Sequence, residues 1–152
     1  MGITVTDLFA AAGLMPCGPV PWGTVVPERQ PGVYVVAAVA GRNDDCDGID
    51  VPYLKAEVAA RWNPSQPVIY IGRTRRSLLR RIREFNKHVH GEQRPHRGGQ
   101  DAKLLTCPLW VFWSPTDEAA AAEDKMIERF KKEVGRLPFA NRVRSARSKE
   151  LG

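Results

Sequence analysis

Three stretches of the chain concentrate apolar and β-branched residues in short runs. The first follows Pro31 and reads Gly-Val-Tyr-Val-Val-Ala-Ala-Val, and two others come later in the chain. Short runs of this composition, bounded by Pro, Gly and polar residues, are typical of strands. The pattern therefore predicts three β-strands, at about 32–39, 68–72 and 104–113.

A longer segment repeats apolar residues at helical spacing. It follows Ser77, a residue type that caps helix N-termini, and places Leu78, Ile82, Phe85 and Val89 on one face. We predict a helix over about 78–88, with the intervening arginines on its other faces.

A second long helix is predicted towards the C-terminal end of the chain. Ser114-Pro115-Thr116-Asp117 has the composition of a capping box with proline at the first helical position. The helix after it is expected to run to about Val134 and to end at Gly135. Shorter helices are predicted at 8–12 and 52–62. The order strand, strand, helix, strand, helix indicates an α+β fold: a small three-stranded antiparallel or mixed sheet flanked by helices.

Composition narrows the class of protein. The chain has 152 residues, enough for one domain with a modest core. No apolar run is long enough to cross a bilayer, so no membrane partner is expected. The three cysteines form neither a zinc pattern nor a disulfide framework, which favours a cytoplasmic protein.

The net charge of +6 is concentrated in two segments. Residues 73–97 hold nine basic and two acidic side chains, and residues 125–150 hold nine and three, whereas the remainder of the chain is acidic. Basic segments of this kind predict either a surface that binds a polyanion or solvated helix faces.

Glu123 is the most informative single position. The apolar stripe of the C-terminal helix includes Ala119, Met126, Ile127 and Phe130, and Glu123 falls on that stripe. A carboxylate there must be paired, bound to metal or held at a cleft, because isolated burial is unfavourable. The alternative is that the alanine-rich first turns lie at the edge of the core and leave Glu123 in water.

Two tyrosines and an arginine complete the candidate chemistry. Tyr34 and Tyr70 lie on neighbouring predicted strands, each close to a glycine. Arg81 flanks the apolar face of the first long helix, where a planar guanidinium can be held rigidly enough to clamp a phosphate. Strand tyrosines more often serve packing than chemistry.

Taken together, these residues resemble the GIY-YIG endonuclease superfamily. Gly32-Val33-Tyr34 is similar to its first signature, and Tyr70-Ile71-Gly72 matches the second to the letter. The resemblance continues with Leu78-Leu79-Arg80-Arg81-Ile82, with Glu123-Asp124-Lys125-Met126-Ile127 and with Asn141 as the final asparagine, and it covers about residues 31–142. It divides the chain into an N-terminal extension (1–30) that packs on the domain, a nuclease-like domain (31–142) with an insertion at about 40–67, and a basic tail (143–152).

The resemblance implies metal-dependent hydrolysis of DNA phosphodiester bonds. Glu123 would bind one Mg²⁺ (or Mn²⁺), and Arg81 would stabilise charge on the phosphate, with Arg80 the alternative if the alignment shifts by one residue. Tyr34 is the favoured general base with Tyr70 as its partner, and Asn141 would support the site by hydrogen bonding. The basic segment would contact nucleic acid through Arg73, Arg75, Arg76, Arg80, Arg83, Lys87, His88, His96 and Arg97.

The chain also departs from the family pattern. Arg73 stands where many members have Lys, and Phe85 stands where relatives often have His or Tyr. His88 or His96 could substitute for that missing side chain. DNA is the expected partner, with RNA left open, and the protein is expected to be a monomer or weak dimer. There are two competing hypotheses. One is a binding module on the same fold that no longer cleaves, and the other is a protein-interaction domain whose Trp110/Trp113 pair and N-terminal segment dock a partner.

Overall fold

The fold was analysed in a computed structural model that describes residues 3–42, 63, 66–87 and 108–141. Within these ranges the chain forms three helices and four strands. In chain order they are α1 (Val5–Ala11), β1 (Cys17–Pro21), β2 (Gly32–Ala37), β3 (Val68–Thr74), α2 (Leu78–Lys87), β4 (Trp110–Pro115) and α3 (Ala119–Val134).

The strands form one antiparallel sheet in the order β1-β4-β2-β3. The α+β class is confirmed, but the predicted count of three strands is wrong. The additional strand, β1, has the sequence Cys-Gly-Pro-Val-Pro and lies in a segment that the sequence marks as a proline-rich loop. Proline is tolerated there because β1 is an edge strand. Such a strand has a partner on one side only, so the N–H group that proline lacks need not be one that pairs with a neighbouring strand. Part of the predicted N-terminal extension therefore belongs to the sheet itself.

Side chains alternate between the two faces of the central strand β2, and both faces are covered. Val33 and Val35 pack towards α1 and α3 in one apolar cluster. Tyr34 and Val36 point the other way and pack with residues of α2 in a second cluster. Every residue of β2 is consequently buried. This explains why β2 reads as a continuous apolar run and not as an alternating one.

The ends of two helices differ from the sequence predictions. Helix α1 is capped by Thr4 in a capping box with Asp7 and begins three residues earlier than expected. Helix α3 begins at Ala119, after Pro115 has completed β4, and its N-cap residue Glu118 makes no side-chain capping bond. The predicted capping box at 114–117 is therefore wrong. Strand β4 spans Trp110–Pro115 and ends two residues beyond its predicted end.

Several predictions fall on other parts of the chain. The helix at 52–62, most of the insertion at 40–67, the start of the third predicted strand, His88, His96, Arg97 and the tail 143–152 lie outside the described residues. Among the described residues, no helix is long and apolar enough to cross a membrane.

Candidate active site

Tyr34 and Tyr70 meet on the face of the sheet that is covered by α2. Strand β2 pairs with β3 so that Tyr34 lies opposite Gly72, and Val36 lies opposite Tyr70. The two phenol rings are 6.0 Å apart between centroids and inclined at 55°. Both rings are buried, with Tyr34 fully so. The sequence prediction that these tyrosines come together on adjacent strands agrees with this geometry.

Gly72 makes the close approach of the two rings possible. A Cβ atom at this position would lie 2.5 Å from Cζ and 2.7 Å from the hydroxyl oxygen of Tyr34, and 2.8 Å from Cε2 of Tyr70. These distances are shorter than any ordinary carbon contact, so a larger residue would displace both phenols. The glycine of the second signature is therefore required by packing against the two tyrosines.

Helix α2 brings Arg81 to the tyrosines. Its first turn is fixed by the Ser77 hydroxyl, which accepts a hydrogen bond from the Arg80 N–H at 3.0 Å. The N–H groups of Leu78 and Leu79 donate to carbonyl groups of the segment that precedes β2, at 2.9 and 2.7 Å. One turn along, Arg81 hydrogen-bonds to Tyr34. A helix anchored both by its Ser77 cap and by the segment before β2 holds this guanidinium in a defined position.

The alternative assignment of the arginine to Arg80 is disfavoured by the structure. The Arg80 side chain is exposed and pairs with Glu84 at 3.4 Å, and Arg76 pairs with the same carboxylate at 2.8 Å. Arg80 therefore belongs to an ion-pair group on the solvent side of α2, away from the phenols. Arg81, one residue on, contacts Tyr34.

Burial and mutual contact shift the pKa of both phenols. Burial raises the pKa of Tyr34 to about 12, an increase that the charge of Arg81 and hydrogen bonds with Arg81 and Tyr70 oppose. Burial also raises the pKa of Tyr70 well above its ordinary value, and the hydrogen bond with Tyr34 adds to the increase. Arg81 therefore opposes the effect of burial on the pKa of Tyr34.

Glu123 approaches the site from α3, which covers the opposite face of the sheet. The residue is only 7% exposed, so the expectation of a solvated carboxylate is not met, and the prediction that Glu123 lies on the buried stripe agrees with the structure. Its Oε1 accepts a hydrogen bond from Nε of Arg73 on β3 at 3.0 Å. Its negative charge contributes to the raised pKa of both Tyr34 and Tyr70.

The groups therefore gather around the second half of β3. Tyr70 and Arg73 are three residues apart on this strand, a distance of about 10 Å at the usual rise per residue. The phenols and Arg81 lie on one side of the strand, and the pair formed by Arg73 and Glu123 lies on the other. Because β3 is an edge strand, both groups lie beside the same margin of the sheet.

Asn141 fixes that margin. Its side chain accepts a hydrogen bond from the Ile71 N–H and donates one to the Ile71 carbonyl, both at 2.9 Å. The neighbouring Ala140 N–H donates to the Ile69 carbonyl at 2.8 Å. Asn141 therefore acts as a substitute for a further strand and holds β3 where it presents Tyr70 and Gly72. Both groups of the Asn141 amide are therefore engaged by the backbone of β3.

An aromatic wall closes the site behind the tyrosines. Phe85 of α2 is fully buried, with its ring 5.5 Å from that of Tyr70 and 6.5 Å from that of Tyr34. Trp22, from the loop after β1, packs edge-on against Phe85 at 4.9 Å. No sequence pattern indicates this role for Trp22, because it depends on β1 joining the sheet. Trp113 is also buried, so it is not available as half of a docking pair.

The remaining basic residues are distributed over α2 and the loop before it. Arg75, Arg76, Arg80 and Arg83 are exposed, and Lys87 is the last residue of the helix. Arg73, which is also predicted to contact nucleic acid, pairs with Glu123 in this structure. Two of the exposed arginines, Arg76 and Arg80, pair with Glu84.

Glu123 offers the kind of ligand that Mg²⁺ accepts. Among residues 3–42, 63, 66–87 and 108–141, no three His, Cys, Asp or Glu side chains form a group that could hold a metal. Mg²⁺ does not need such a group, because it is commonly held by one or two carboxylates together with water and substrate phosphates. The single buried carboxylate of Glu123, beside an edge that nucleic acid could reach, fits that pattern.

Comparison with known proteins adds no relative. No family model, curated protein or solved structure matches the chain. Any assignment to a family therefore depends on the signatures and on the geometry described above.

Proposed function

We propose that the protein is a metal-dependent endonuclease of the GIY-YIG type, which hydrolyses DNA phosphodiester bonds with a single metal ion. One observation carries the proposal. Tyr34, Tyr70 and Arg81, which come from three different elements, form one hydrogen-bonded group, and the buried carboxylate of Glu123 acts on both phenols. Buried ionisable groups that perturb one another are found preferentially at functional sites.

Arg81 is assigned to the phosphate. A planar guanidinium can donate two parallel hydrogen bonds to phosphate oxygens, and a fixed donor is effective where negative charge develops during the reaction. Its present partner is the Tyr34 hydroxyl, which is neutral at physiological pH because the pKa of Tyr34 is about 12. A phosphate group is a stronger acceptor than a neutral phenol, so binding of substrate is expected to draw the guanidinium towards it.

Tyr34 is assigned as the general base and Tyr70 as its partner. Hydrogen bonds with Arg81 and Tyr70 oppose the rise in the pKa of Tyr34 and so favour its phenolate form. The pKa of Tyr70 is raised by burial and raised further by its contacts with Tyr34. Deprotonation of Tyr34 during the reaction requires additional positive charge nearby, because burial alone keeps its pKa high.

Glu123 is assigned as the protein ligand for Mg²⁺ or Mn²⁺. When bound, the ion would supply positive charge that stabilises the phosphate and the leaving oxygen. Glu123 itself contributes a hard oxygen ligand on a well-packed helix, with Met126 and Phe130 buried further along the same stripe. Asn141 would hold β3 in place beside this helix through its two hydrogen bonds to Ile71.

The basic residues of α2 and the loop before it are assigned to DNA. Exposed arginines at 75, 76, 80 and 83 would contact the phosphate backbone and position the duplex, since such contacts carry no sequence information. RNA offers the same phosphates and is the alternative nucleic acid. We further propose that the protein is cytoplasmic and acts as a monomer or weak dimer.

A binding module without cleavage is the second candidate, and two observations favour it. Phe85 fills the position next to both tyrosines with a side chain that can neither donate nor accept a proton. Arg73 also holds the carboxylate that metal would need. Such a protein would retain the basic surface and bind DNA without chemistry.

A plasmid assay separates these candidates. Supercoiled DNA incubated with the protein and Mg²⁺ should be nicked or linearised, and the reaction should stop when a chelator is added. Glu123→Ala and Arg81→Ala should lose cleavage while remaining folded, with Arg129→Ala on the outer face of α3 as the matched control. DNA that shifts on a gel but is never cut under any metal condition would favour the binding module.

A further inference from the structure

We propose that Arg73 is an exchangeable counter-ion for Glu123. In the free protein it neutralises the carboxylate. When nucleic acid and a divalent cation bind together, Arg73 moves to a phosphate group and the cation takes its place at Glu123. The inference rests on the proposed function, since it concerns how DNA and metal come to share one site. It assigns Arg73 as a positioning residue that couples the two binding events.

The geometry of the pair is asymmetric. The Arg73 Nε and the Glu123 Oε1 are 3.0 Å apart, yet the Arg73 side chain is 35% exposed and the Glu123 side chain only 9%. The carboxylate is held inside the protein by the packing of α3, whereas the guanidinium reaches it from the solvent side. Of the two partners, Arg73 is the one that can leave without disturbing the core.

Burial of Glu123 makes a positive partner necessary. A buried carboxylate without a compensating charge is strongly unfavourable, so the free protein needs a cation beside it. Arg73 fulfils this need in the structure. A divalent ion at the same carboxylate would bring two positive groups together, and like charges at such short range repel. Arg73 and the metal are therefore competitors for Glu123 as long as Arg73 remains in place.

The position of Arg73 supplies the alternative acceptor. It lies on the edge strand β3, directly after Gly72 and before the exposed residues Arg75 and Arg76. One phosphodiester could reach both Arg81 and Arg73 only by lying across this edge of the sheet. Guanidinium groups bind phosphate and carboxylate with the same bidentate geometry, so the exchange loses little hydrogen bonding.

Metal affinity in the absence of DNA tests the first half of the proposal. Mn²⁺ binding is titrated by electron paramagnetic resonance for the wild type, Arg73→Gln, Arg73→Lys and Glu123→Gln. Arg73→Gln removes the charge but keeps a hydrogen-bond donor, and it should bind Mn²⁺ roughly tenfold more tightly than the wild type. Arg73→Lys retains the charge and should stay near the wild-type affinity.

Arg129→Gln is the matched control for the loss of one positive charge. Arg129 forms a pair of similar geometry with Glu133, at 3.2 Å, on the exposed face of α3. Its replacement should leave Mn²⁺ affinity unchanged. An equal gain in Arg129→Gln would mean that net charge alone controls metal binding, and that result would overturn the proposal.

DNA affinity in the presence of a chelator tests the second half. Glu123→Gln releases Arg73 to bind phosphate, so affinity for a short DNA duplex should rise and the salt dependence should steepen by about 0.9 in the slope of log K against log salt. In the double variant Arg73→Gln/Glu123→Gln the slope should return to the wild-type value. This double variant removes both charges of the pair, so it keeps the test available if Arg73→Gln alone is unstable.

The outcomes separate this proposal from the function on which it rests. If Glu123→Gln abolishes Mn²⁺ binding while Arg73→Gln weakens it or leaves it unchanged, Arg73 orients the carboxylate permanently, and only the exchange is overturned. If the salt slope of Glu123→Gln equals that of the wild type, the exchange is also overturned. If Glu123→Gln binds Mn²⁺ as the wild type does, Glu123 is not the metal ligand, and the metal site of the proposed function fails as well.

Discussion

Replacement of Gly72 by alanine perturbs the candidate site through packing alone. The new Cβ would lie 2.5 Å from Cζ of Tyr34, whereas ordinary van der Waals contact begins at 3.4 Å. The tyrosine ring and the strand must therefore separate by about 0.9 Å, the difference between those two distances. Tyr70 is affected as well, because its Cε2 would be 2.8 Å from the same atom.

Two magnitudes follow from this displacement. Overpacking of a well-packed interior destabilises by roughly 1–3 kcal/mol, and a misplacement of about 1 Å in an active site can lower a rate about 100-fold. We expect Gly72→Ala to remain folded, to lose about 1–2 kcal/mol of unfolding free energy and to lose about 100-fold in plasmid cleavage. Urea unfolding and a nicking time course measure the two effects on the same preparation.

Gly135→Ala is the matched control for this experiment. Gly135 ends α3 with φ = 91°, and a Cβ atom there would have none of the described atoms within 4 Å, so alanine is strained at this position without a steric clash. The variant should lose roughly 1–2 kcal/mol of unfolding free energy, the usual penalty for a left-handed residue with a side chain, and should cleave normally. Wild-type cleavage by Gly72→Ala would refute the assignment of the two phenols to catalysis.

Three further outcomes are expected. Because the unfolded chain releases the Tyr34 proton near pH 10 and the folded protein holds it to about pH 12, stability conferred by this group is lost as pH rises through that window. Between about pH 9 and pH 11 the wild type should lose about 1 kcal/mol more unfolding free energy than Tyr34→Phe. Urea unfolding of both proteins at the two pH values measures this difference, and an equal loss in the two proteins would contradict the buried position of the hydroxyl. Asn141→Ala removes both hydrogen bonds to Ile71 and should destabilise by about 1–3 kcal/mol in urea unfolding; an unchanged midpoint would show that β3 does not depend on this contact. Arg83→Gln on the exposed face of α2 should weaken binding to DNA of any sequence and lower the salt slope by about 0.9, and anisotropy titrations at several salt concentrations that show no change would exclude that face from the interface.

Much of the fold follows from local pattern. Strand β2 and helix α2 appear where the apolar runs and the Ser77 cap predict them, because burial on both sides of β2 and on one side of α2 leaves a clear trace in the sequence. Strand β1 could not be predicted, because its prolines oppose a strand and its pairing with β4 is a long-range contact that no local pattern shows. The start of α3 differs from its prediction because a local capping pattern does not reveal that Pro115 still belongs to β4.

The candidate site divides in the same way. The resemblance points to Tyr34, Tyr70, Arg81 and Glu123 by their order and spacing, and of these only Glu123 also interrupts an apolar stripe. The pair formed by Arg73 and Glu123 could not be predicted, since it depends on how α3 crosses β3 and joins residues fifty positions apart in the chain. The contact of Trp22 with Phe85 likewise depends on the path of the chain after β1.

The most direct test of the proposed metal site is a crystal of the protein with a short DNA duplex, soaked in Mn²⁺ and examined for anomalous density. We predict a metal peak beside Glu123, with a phosphate of the duplex between that metal and the Arg81 guanidinium. A duplex bound on another face, or a metal peak distant from Glu123 in protein that cleaves DNA, would contradict the proposed mechanism.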